Sequence, residues 1–256
     1  MRAVAVHRDA IVVTSRLWQT TATALRSGSE AFLIDSPYFP DELELLPVLL
    51  EQASFAAPSG LLATHADWDH LLGRYAFPGL ALGVASSSGE RLRAEPGAAQ
   101  RELRDADAEY YVKRAGPLSL GSYQPLPVPG KMQIGDDEIE LHPTAGHTPD
   151  GAAFFARWAG VLVCGDYVSD VEIPMVTDLG DYRATLARLA ALVDECETVV
   201  PGHGAPSDRS RALQIIDDDV DYLDALERGE ERPKLPAGRD TKRQRAIHAE
   251  NLTRVI

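Results

Sequence analysis

Four short apolar runs in this 256-residue chain are each followed by a histidine or an aspartate on a turn. GLLAT leads to His65, EIELHPTA to His147, VLVC to Asp166 and TVV to His203. Runs of this length, bounded by glycine or proline, predict strands. Strand ends in layered α/β folds open onto a common crevice, so we expect these four side chains to converge. The recurrence favours a layered α/β fold.

The rest of the chain alternates strand-like runs with amphipathic helices. Strands are expected at 3–6, 11–13, 21–25 and 31–35, and again between 117 and 164. The spacing of apolar residues predicts helices at PDELELLPVLLEQA, kinked near Pro47, at DYRATLARLAALVDE, with Asp181 as its N-cap, and from Ser207 to Gly229. Strand clusters that alternate with helices indicate an α/β layered domain.

We interpret residues 1–256 as one domain with two additions. The polar segment at about 86–116 is predicted to be a partly helical insertion that forms one wall of a pocket. Residues from about 207 to 256 are predicted to form a helical tail.

Charge and composition exclude several classes of partner. The formal net charge is −14, which repels phosphate backbones and disfavours nucleic acid as a partner. No apolar run approaches the ~20 residues of a membrane span, and the N-terminus does not resemble a secretory signal. Two cysteines cannot form a disulfide framework, which is typical of a reducing cytoplasm. We therefore expect a cytoplasmic protein that acts on a small molecule, with no sequence signal for its oligomeric state.

The segment after GLLAT concentrates side chains that can bind a metal. His65, Asp67, Asp69 and His70 lie within six residues, HADWDH. Imidazoles and carboxylates are common ligands of divalent transition metals, and a loop at a strand end can aim several of them at one point. The alternative is an acidic turn that caps a helix, since short motifs can match by chance.

The ordered set HADWDH, AGHTP, CGD and PGHG resembles the metallo-β-lactamase fold superfamily over residues 21–205. This resemblance implies a four-layer αββα sandwich with a dinuclear metal site at one edge of the two sheets. It also implies the ligands by position: His65, Asp67 and His147 for the first metal, Asp69, His70 and His203 for the second, and Asp166 bridging both.

One residue departs from the usual pattern of the superfamily. Asp67 stands where a second histidine is usual, and an aspartate is shorter, anionic and harder as a ligand. The metal can shift toward Asp67, a water can intervene, or the first site can stay partly empty. Flavodiiron-type members also carry a carboxylate here, which adds iron and manganese as candidates. Zinc remains the first choice.

The resemblance implies a metal-dependent hydrolase in which a hydroxide formed on the metal attacks a small ester, thioester, lactone or phosphoester. Glyoxalase II-like and lactonase-like activities are not resolved. Asp69 is expected to orient the nucleophile and accept its proton. Tyr167 is a candidate proton donor, although ordinary aromatic packing is the favoured interpretation. The alternatives are a non-haem iron oxidoreductase on the same fold and a degenerate metal-binding protein without catalysis.

Several further residues are candidates for support rather than catalysis. Asp35, Thr64 and Thr148 are candidates for orienting metal-binding histidines, because such histidines usually donate their second nitrogen to an oxygen. A role in a turn or a helix cap is the equal alternative. Trp68 is a candidate for the pocket wall, although ordinary packing is the simpler interpretation. His142 is expected to be structural.

Overall fold

Two mixed β-sheets pack face to face, and helices cover both outer surfaces. The structure is a computed structural model that describes residues 1–55 and 57–255. The predicted α/β class and its four-layer αββα arrangement are therefore confirmed. No helix in these residues is long and apolar enough to cross a membrane.

The first sheet contains the N-terminal strands in chain order. Neighbouring strands are antiparallel from β1 to β4 and parallel from β4 to β7. Its strands are β1 (Arg2–His7), β2 (Ala10–Thr14), β3 (Thr21–Ser27), β4 (Glu30–Asp35), β5 (Gly60–Ala63), β6 (Leu82–Ala85) and β7 (Tyr123–Leu126). The parallel pairing places the carboxyl ends of β4 and β5 at one edge.

The second sheet has the order β13-β12-β11-β10-β9-β8. Its strands are β8 (Gly130–Ile134), β9 (Asp137–Pro143), β10 (Ala152–Ala156), β11 (Val161–Val163), β12 (Thr198–Val200) and β13 (Ser207–Asp208). The pairings from β8 to β11 are antiparallel, and β11 pairs with β12 in parallel. Strands β9, β11 and β12 therefore run in one direction and end at the same edge.

The helices cover the outer faces of both sheets. The described helices are α1 (Pro40–Gln52), α2 (Gly73–Ala76), α3 (Ser86–Ala94), α4 (Ala98–Glu109), α5 (Leu179–Val193), α6 (Arg209–Glu227) and α7 (Lys242–Val255). Apolar residues of α1 and α4 pack on the first sheet, and those of α5 and α6 pack on the second. A third apolar cluster fills the space between the sheets and includes Ile34, Leu62, Phe154 and Val163.

Two local predictions were wrong. Helix α5 begins earlier than expected, and its N-cap is Asp178, whose carboxylate accepts a hydrogen bond from the Asp181 amide at 2.8 Å. The aspartates lie three residues apart, so either one satisfies the sequence preference for a cap. Of LSLGSYQPL only Tyr123–Leu126 is a strand, and it pairs with β6.

The two sheets are joined by hydrogen bonds at the edge where the strands end. The Thr21 amide donates to the Gly202 carbonyl at 2.8 Å, and the Thr21 hydroxyl donates to the Pro201 carbonyl at 2.6 Å. The Ala152 amide donates to the Thr64 carbonyl at 2.7 Å. These bonds fix the strand ends of one sheet relative to those of the other.

The loop after β9 lies against the start of α5 at a glycine. Gly146 has φ +113°, a conformation that other residues rarely adopt, and a Cβ there would lie 2.2 Å from the backbone nitrogen of Tyr182. Only glycine therefore fits between this loop and the helix.

Gly146→Ala should lower the free energy of unfolding by about 2–4 kcal/mol, because both the backbone strain and the contact with α5 are unfavourable. Denaturant unfolding of the metal-free protein measures this change. Gly79→Ala is the matched control, since a Cβ at Gly79 has no atom within 4 Å, and its effect should stay within about 0.5 kcal/mol. Equal effects of the two substitutions would contradict the role of Gly146.

Candidate metal centre

The carboxylate of Asp166 lies at the centre of four imidazoles. Its Oδ1 is 3.1 Å from Nε2 of His70, and its Oδ2 is 3.3 Å from Nε2 of His147. The same Oδ2 is 3.4 Å from Nε2 of His203 and 3.9 Å from that of His65. The four strand-end residues of the sequence pattern therefore converge, as the topology requires.

Two sets of three donors lie around Asp166. Donor atoms of His65, Asp67 and His147 all lie within 4.8 Å of one another. Within this set, Oδ2 of Asp67 is 3.6 Å from Nε2 of each histidine. The grouping matches the ligand set that the resemblance implies for a first metal.

The second set consists of Asp69, His70 and His203, whose donor atoms also lie within 4.8 Å of one another. Oδ2 of Asp69 is 3.3 Å from Nε2 of His203. The segment Trp68–His70 forms a single 3₁₀ turn after the first ligand residues. This turn places Asp69 and His70 beside His203, so HADWDH supplies residues to both sets, and the ring centroids of His65 and His70 still lie 4.3 Å apart.

An oxygen atom lies within 3.3 Å of Nδ1 of every histidine in the two sets. The partners are Thr64 Oγ1 for His65 at 3.1 Å, Asp35 Oδ2 for His70 at 3.0 Å, the Met175 carbonyl for His147 at 3.1 Å and the Trp18 carbonyl for His203 at 3.3 Å. With Nδ1 beside an oxygen, each Nε2 faces the centre, which is the orientation of metal-binding histidines.

The support residues expected from the sequence have different positions. Asp35 contacts His70 and also accepts hydrogen bonds from the Thr64 amide and hydroxyl, at 2.8 and 2.9 Å. Its backbone has φ 58°, which is unusual for a residue other than glycine. Thr148 instead donates to the Asp150 carbonyl at 3.0 Å. Thr148 therefore stabilises its own loop and does not orient a histidine.

Several buried atoms at the centre lack a hydrogen-bond partner among the described residues. They are Nε2 of His65, His70 and His147, Nδ1 of His70, and Oδ1 of Asp67 and of Asp166. A buried polar atom left in this state costs about 1–3 kcal/mol. A divalent cation satisfies nitrogen and carboxylate donors together, and mixed imidazole and carboxylate sets suit zinc, iron or manganese. The residues therefore fit the metals that the resemblance implies.

The carboxylates and imidazoles shift one another's pKa. Burial lowers the pKa of His147, but the nearby carboxylates of Asp67 and Asp166 outweigh it and raise the pKa to about 9. Burial raises the pKa of Asp166, but positive charge on His203 and His70 holds it well below its usual range. The metal-free centre therefore keeps negative carboxylates beside protonated imidazoles.

The structure argues against the proton-donor role expected for Tyr167. The side chain is 3% exposed, and its hydroxyl donates to the Ala145 carbonyl at 2.7 Å. The same oxygen accepts a hydrogen bond from the His147 amide at 2.9 Å. Tyr167 therefore holds the backbone on both sides of Gly146. The sequence places it beside Asp166 but does not show which way its ring points.

Three residues beside the centre carried no signal in the sequence. Nη1 of Arg91 is 2.7 Å from Oδ1 of Asp67 and 2.9 Å from Oδ1 of Asp150. Glu172 has a carboxylate oxygen within 4.8 Å of donor atoms of Asp166 and His203. Arg91 lies in a polar helix and resembles any solvated arginine, whereas Asp150 and Glu172 lie in loops.

Aromatic rings border the second donor set. The rings of Trp18 and His203 have centroids 6.3 Å apart, and the ring of Trp18 is 5.8 Å from those of Trp68 and Tyr110. Trp18, Trp68 and Tyr110 are all half-buried. This aromatic group packs against the first sheet's core beside His203, and the guanidinium of Arg243 lies 4.5 Å from the centroid of the Trp18 ring.

Asp166→Ala should weaken metal binding at both donor sets, because the Asp166 carboxylate lies beside histidines of both sets. His142→Ala is the control: His142 lies 3.3 Å from Glu140, outside the two sets, and its loss should leave metal content unchanged. Mass-spectrometric counting of zinc in both purified variants measures this. Full zinc content in the Asp166 variant would contradict the central position of this carboxylate.

Metal binding should release protons at neutral pH, because metal-bound imidazole is neutral and the metal-free chain keeps His147 protonated up to pH about 9. Affinity should therefore rise between pH 6.5 and 9. Because the pKa of His147 is higher in the folded chain than its ordinary value of 6.5, protonation of His147 stabilises the metal-free fold. This stabilisation is complete below pH 6.5 and is lost as the pH rises through about 9. Calorimetry near neutral pH in buffers of different ionisation enthalpy counts the protons. Binding without proton release would contradict the prediction.

Residues 15–203 match the family model described as the metallo-beta-lactamase superfamily. Over 62 residues the chain is 42% identical to the lactamase-like protein vrtG of Penicillium aethiopicum. That match covers 24% of this chain and only 20% of the fungal protein.

Solved structures share the fold at low sequence identity. A metallo-beta-lactamase family protein from Thermus thermophilus is 20% identical, with a TM-score of 0.69, over 98% of this chain and 93% of that one. The inverting sec-alkylsulfatase Pisa1 from Pseudomonas sp. is 14% identical, with a TM-score of 0.77, over 99% of this chain and 49% of that one. Because the family model matches most of the chain, the chain belongs to the metallo-β-lactamase superfamily.

Proposed function

We propose that this protein is a hydrolase that uses two divalent metal ions. His65, Asp67 and His147 would hold one ion, Asp69, His70 and His203 the other, and Asp166 would contact both. The observation that carries the proposal is the orientation of the four imidazoles: each Nδ1 lies within 3.3 Å of an oxygen, and each Nε2 lies within 3.9 Å of the Asp166 carboxylate. Zinc is our first candidate, and iron or manganese the next.

Metals bound in such a set would lower the pKa of a coordinated water to near 7 and would stabilise negative charge that develops on the substrate. The protein supplies orientation and proton transfer. Asp69 is 7% exposed, and its Oδ2 is 3.3 Å from Nε2 of His203. From this position its carboxylate can orient an attacking water and accept its proton. Burial of the centre strengthens these electrostatic effects.

The substrate class we propose is a small carboxylic ester, thioester or lactone, with phosphoesters as a further member. Trp18, Trp68 and Tyr110 support a substrate with an apolar group, because they form an aromatic surface next to His203. The net charge of −14 supports a small-molecule substrate over a nucleic acid.

One observation favours a second candidate function. Asp67 is a carboxylate where the superfamily usually has an imidazole, and harder oxygen ligands suit iron or manganese better than they suit zinc. A non-haem iron oxidoreductase on this fold would use the same residues. Iron content with redox-dependent absorbance in the protein as purified would favour it, and zinc alone would exclude it.

Hydrolase activity should appear when the protein is loaded separately with zinc, iron(II) and manganese and assayed on ester, thioester, lactone and phosphoester panels. Asp69→Ala should lower kcat by roughly 10²–10⁴-fold, the usual contribution of a general base. His142→Ala should keep wild-type kcat. Absence of turnover on every panel, with two metals verified as bound, would contradict the proposal.

A further inference from the structure

The two carboxylate oxygens of Asp67 have different neighbours. Oδ2 faces the first donor set, 3.6 Å from Nε2 of His65 and 3.6 Å from that of His147. Oδ1 instead lies 2.7 Å from Nη1 of Arg91, an ion pair in which the guanidinium does not form an aligned hydrogen bond with Oδ1. One oxygen is therefore directed at the donors and the other at a guanidinium.

Arg91 is itself fixed on the protein. Its Nη1 donates to Oδ1 of Asp150 at 2.9 Å, and Asp150 is 3% exposed. The second oxygen of Asp150 accepts a hydrogen bond from the Ala66 amide at 2.9 Å. Arg91, from helix α3, therefore connects the loop that carries Asp67 to the loop that carries His147. The side chain of Arg91 is 20% exposed, so water screens these contacts only in part.

A carboxylate differs from the usual imidazole of the superfamily in its number of donor atoms and in its charge, and Arg91 compensates for both differences. A carboxylate offers two equivalent oxygens, whereas a histidine held at Nδ1 offers one nitrogen. A carboxylate also adds a negative charge beside the carboxylate of Asp166, which lies 3.3 Å from Nε2 of His147 in the same donor set. A guanidinium on Oδ1 leaves one oxygen for the donor set and places a positive charge against the added negative one.

We propose that Arg91 is a positioning residue for Asp67, and that the Asp67–Arg91 pair takes the place of the histidine that the superfamily usually has here. The inference rests on the metal centre of the proposed function. It assigns to α3 a role in building the first donor set, which otherwise consists of loop residues. Asp150 fixes the position of the guanidinium, because it accepts hydrogen bonds from Arg91 and from the Ala66 amide.

A double-mutant comparison tests this pairing through metal binding alone. Cobalt(II) is titrated into the metal-free wild type, Arg91→Gln, Asp67→His and the double variant, and followed by visible absorption and calorimetry. Arg91→Gln should weaken cobalt binding at the first set roughly 10–100-fold, as loss of a partner of a metal ligand does. Binding at the second set should stay unchanged. In the Asp67→His background the same substitution should change affinity less than about 3-fold, because a histidine does not need the guanidinium.

Matched variants separate positioning from folding. Arg93→Gln removes an exposed arginine two residues away on the same helix and should leave cobalt binding unchanged. Arg91→Lys keeps the charge without the planar fork and should fall between wild type and Arg91→Gln. Thermal unfolding of each metal-free variant reports whether the fold is retained, and the Lys variant serves if the Gln variant does not fold.

Three results would overturn the inference. Equal weakening by Arg91→Gln in both backgrounds would show a merely structural role. Unchanged or tighter cobalt binding in Arg91→Gln would show that the guanidinium does not support Asp67. A wild-type chain that binds no cobalt would overturn the metal centre itself and the role of Arg91 with it. The first two results leave the proposed function intact, so the two failures are distinguishable.

Discussion

The arrangement of this protein depends on one buried carboxylate that faces four imidazoles. Asp166 approaches each Nε2 to within 3.9 Å, in a region where burial alone would favour neutral side chains. Such a cluster is stable only when positive charge balances the carboxylates. Protonated imidazoles supply that charge in the metal-free protein, and metal cations would supply it in the metal-bound protein. The oxygen partners at each Nδ1 follow from the same requirement, because they prevent the rings from turning away.

The fold meets this requirement by joining two sheets at one edge. Strands β9, β11 and β12 of the second sheet end where β4 and β5 of the first sheet end. The hydrogen bonds of Thr21 to Pro201 and Gly202 hold the edges together. Glycine is needed at this junction, since a Cβ on Gly202 would lie 2.1 Å from Oδ1 of Asp166. The loops can therefore approach closely enough to share one carboxylate.

Much of the fold and the donor set could be predicted from the sequence, because the signals are local. An apolar run followed by a turn and a histidine is visible in a few residues, and parallel strand ends then require convergence. Arg91, Asp150 and Glu172 could not be predicted, because their contacts join segments far apart in the chain. Tyr167 shows a related limit: sequence gives its position beside Asp166, whereas packing against Ala145 and His147 decides where its hydroxyl points.

X-ray absorption spectroscopy of the zinc-loaded protein tests the central claim most directly, because it reports the atoms around the metal without any substrate. Each donor set contains two histidines and an aspartate. We predict a spectrum dominated by nitrogen and oxygen, with an average of two imidazoles per zinc and no sulfur. Zinc bound without imidazole scattering, or bound to sulfur, would contradict this prediction.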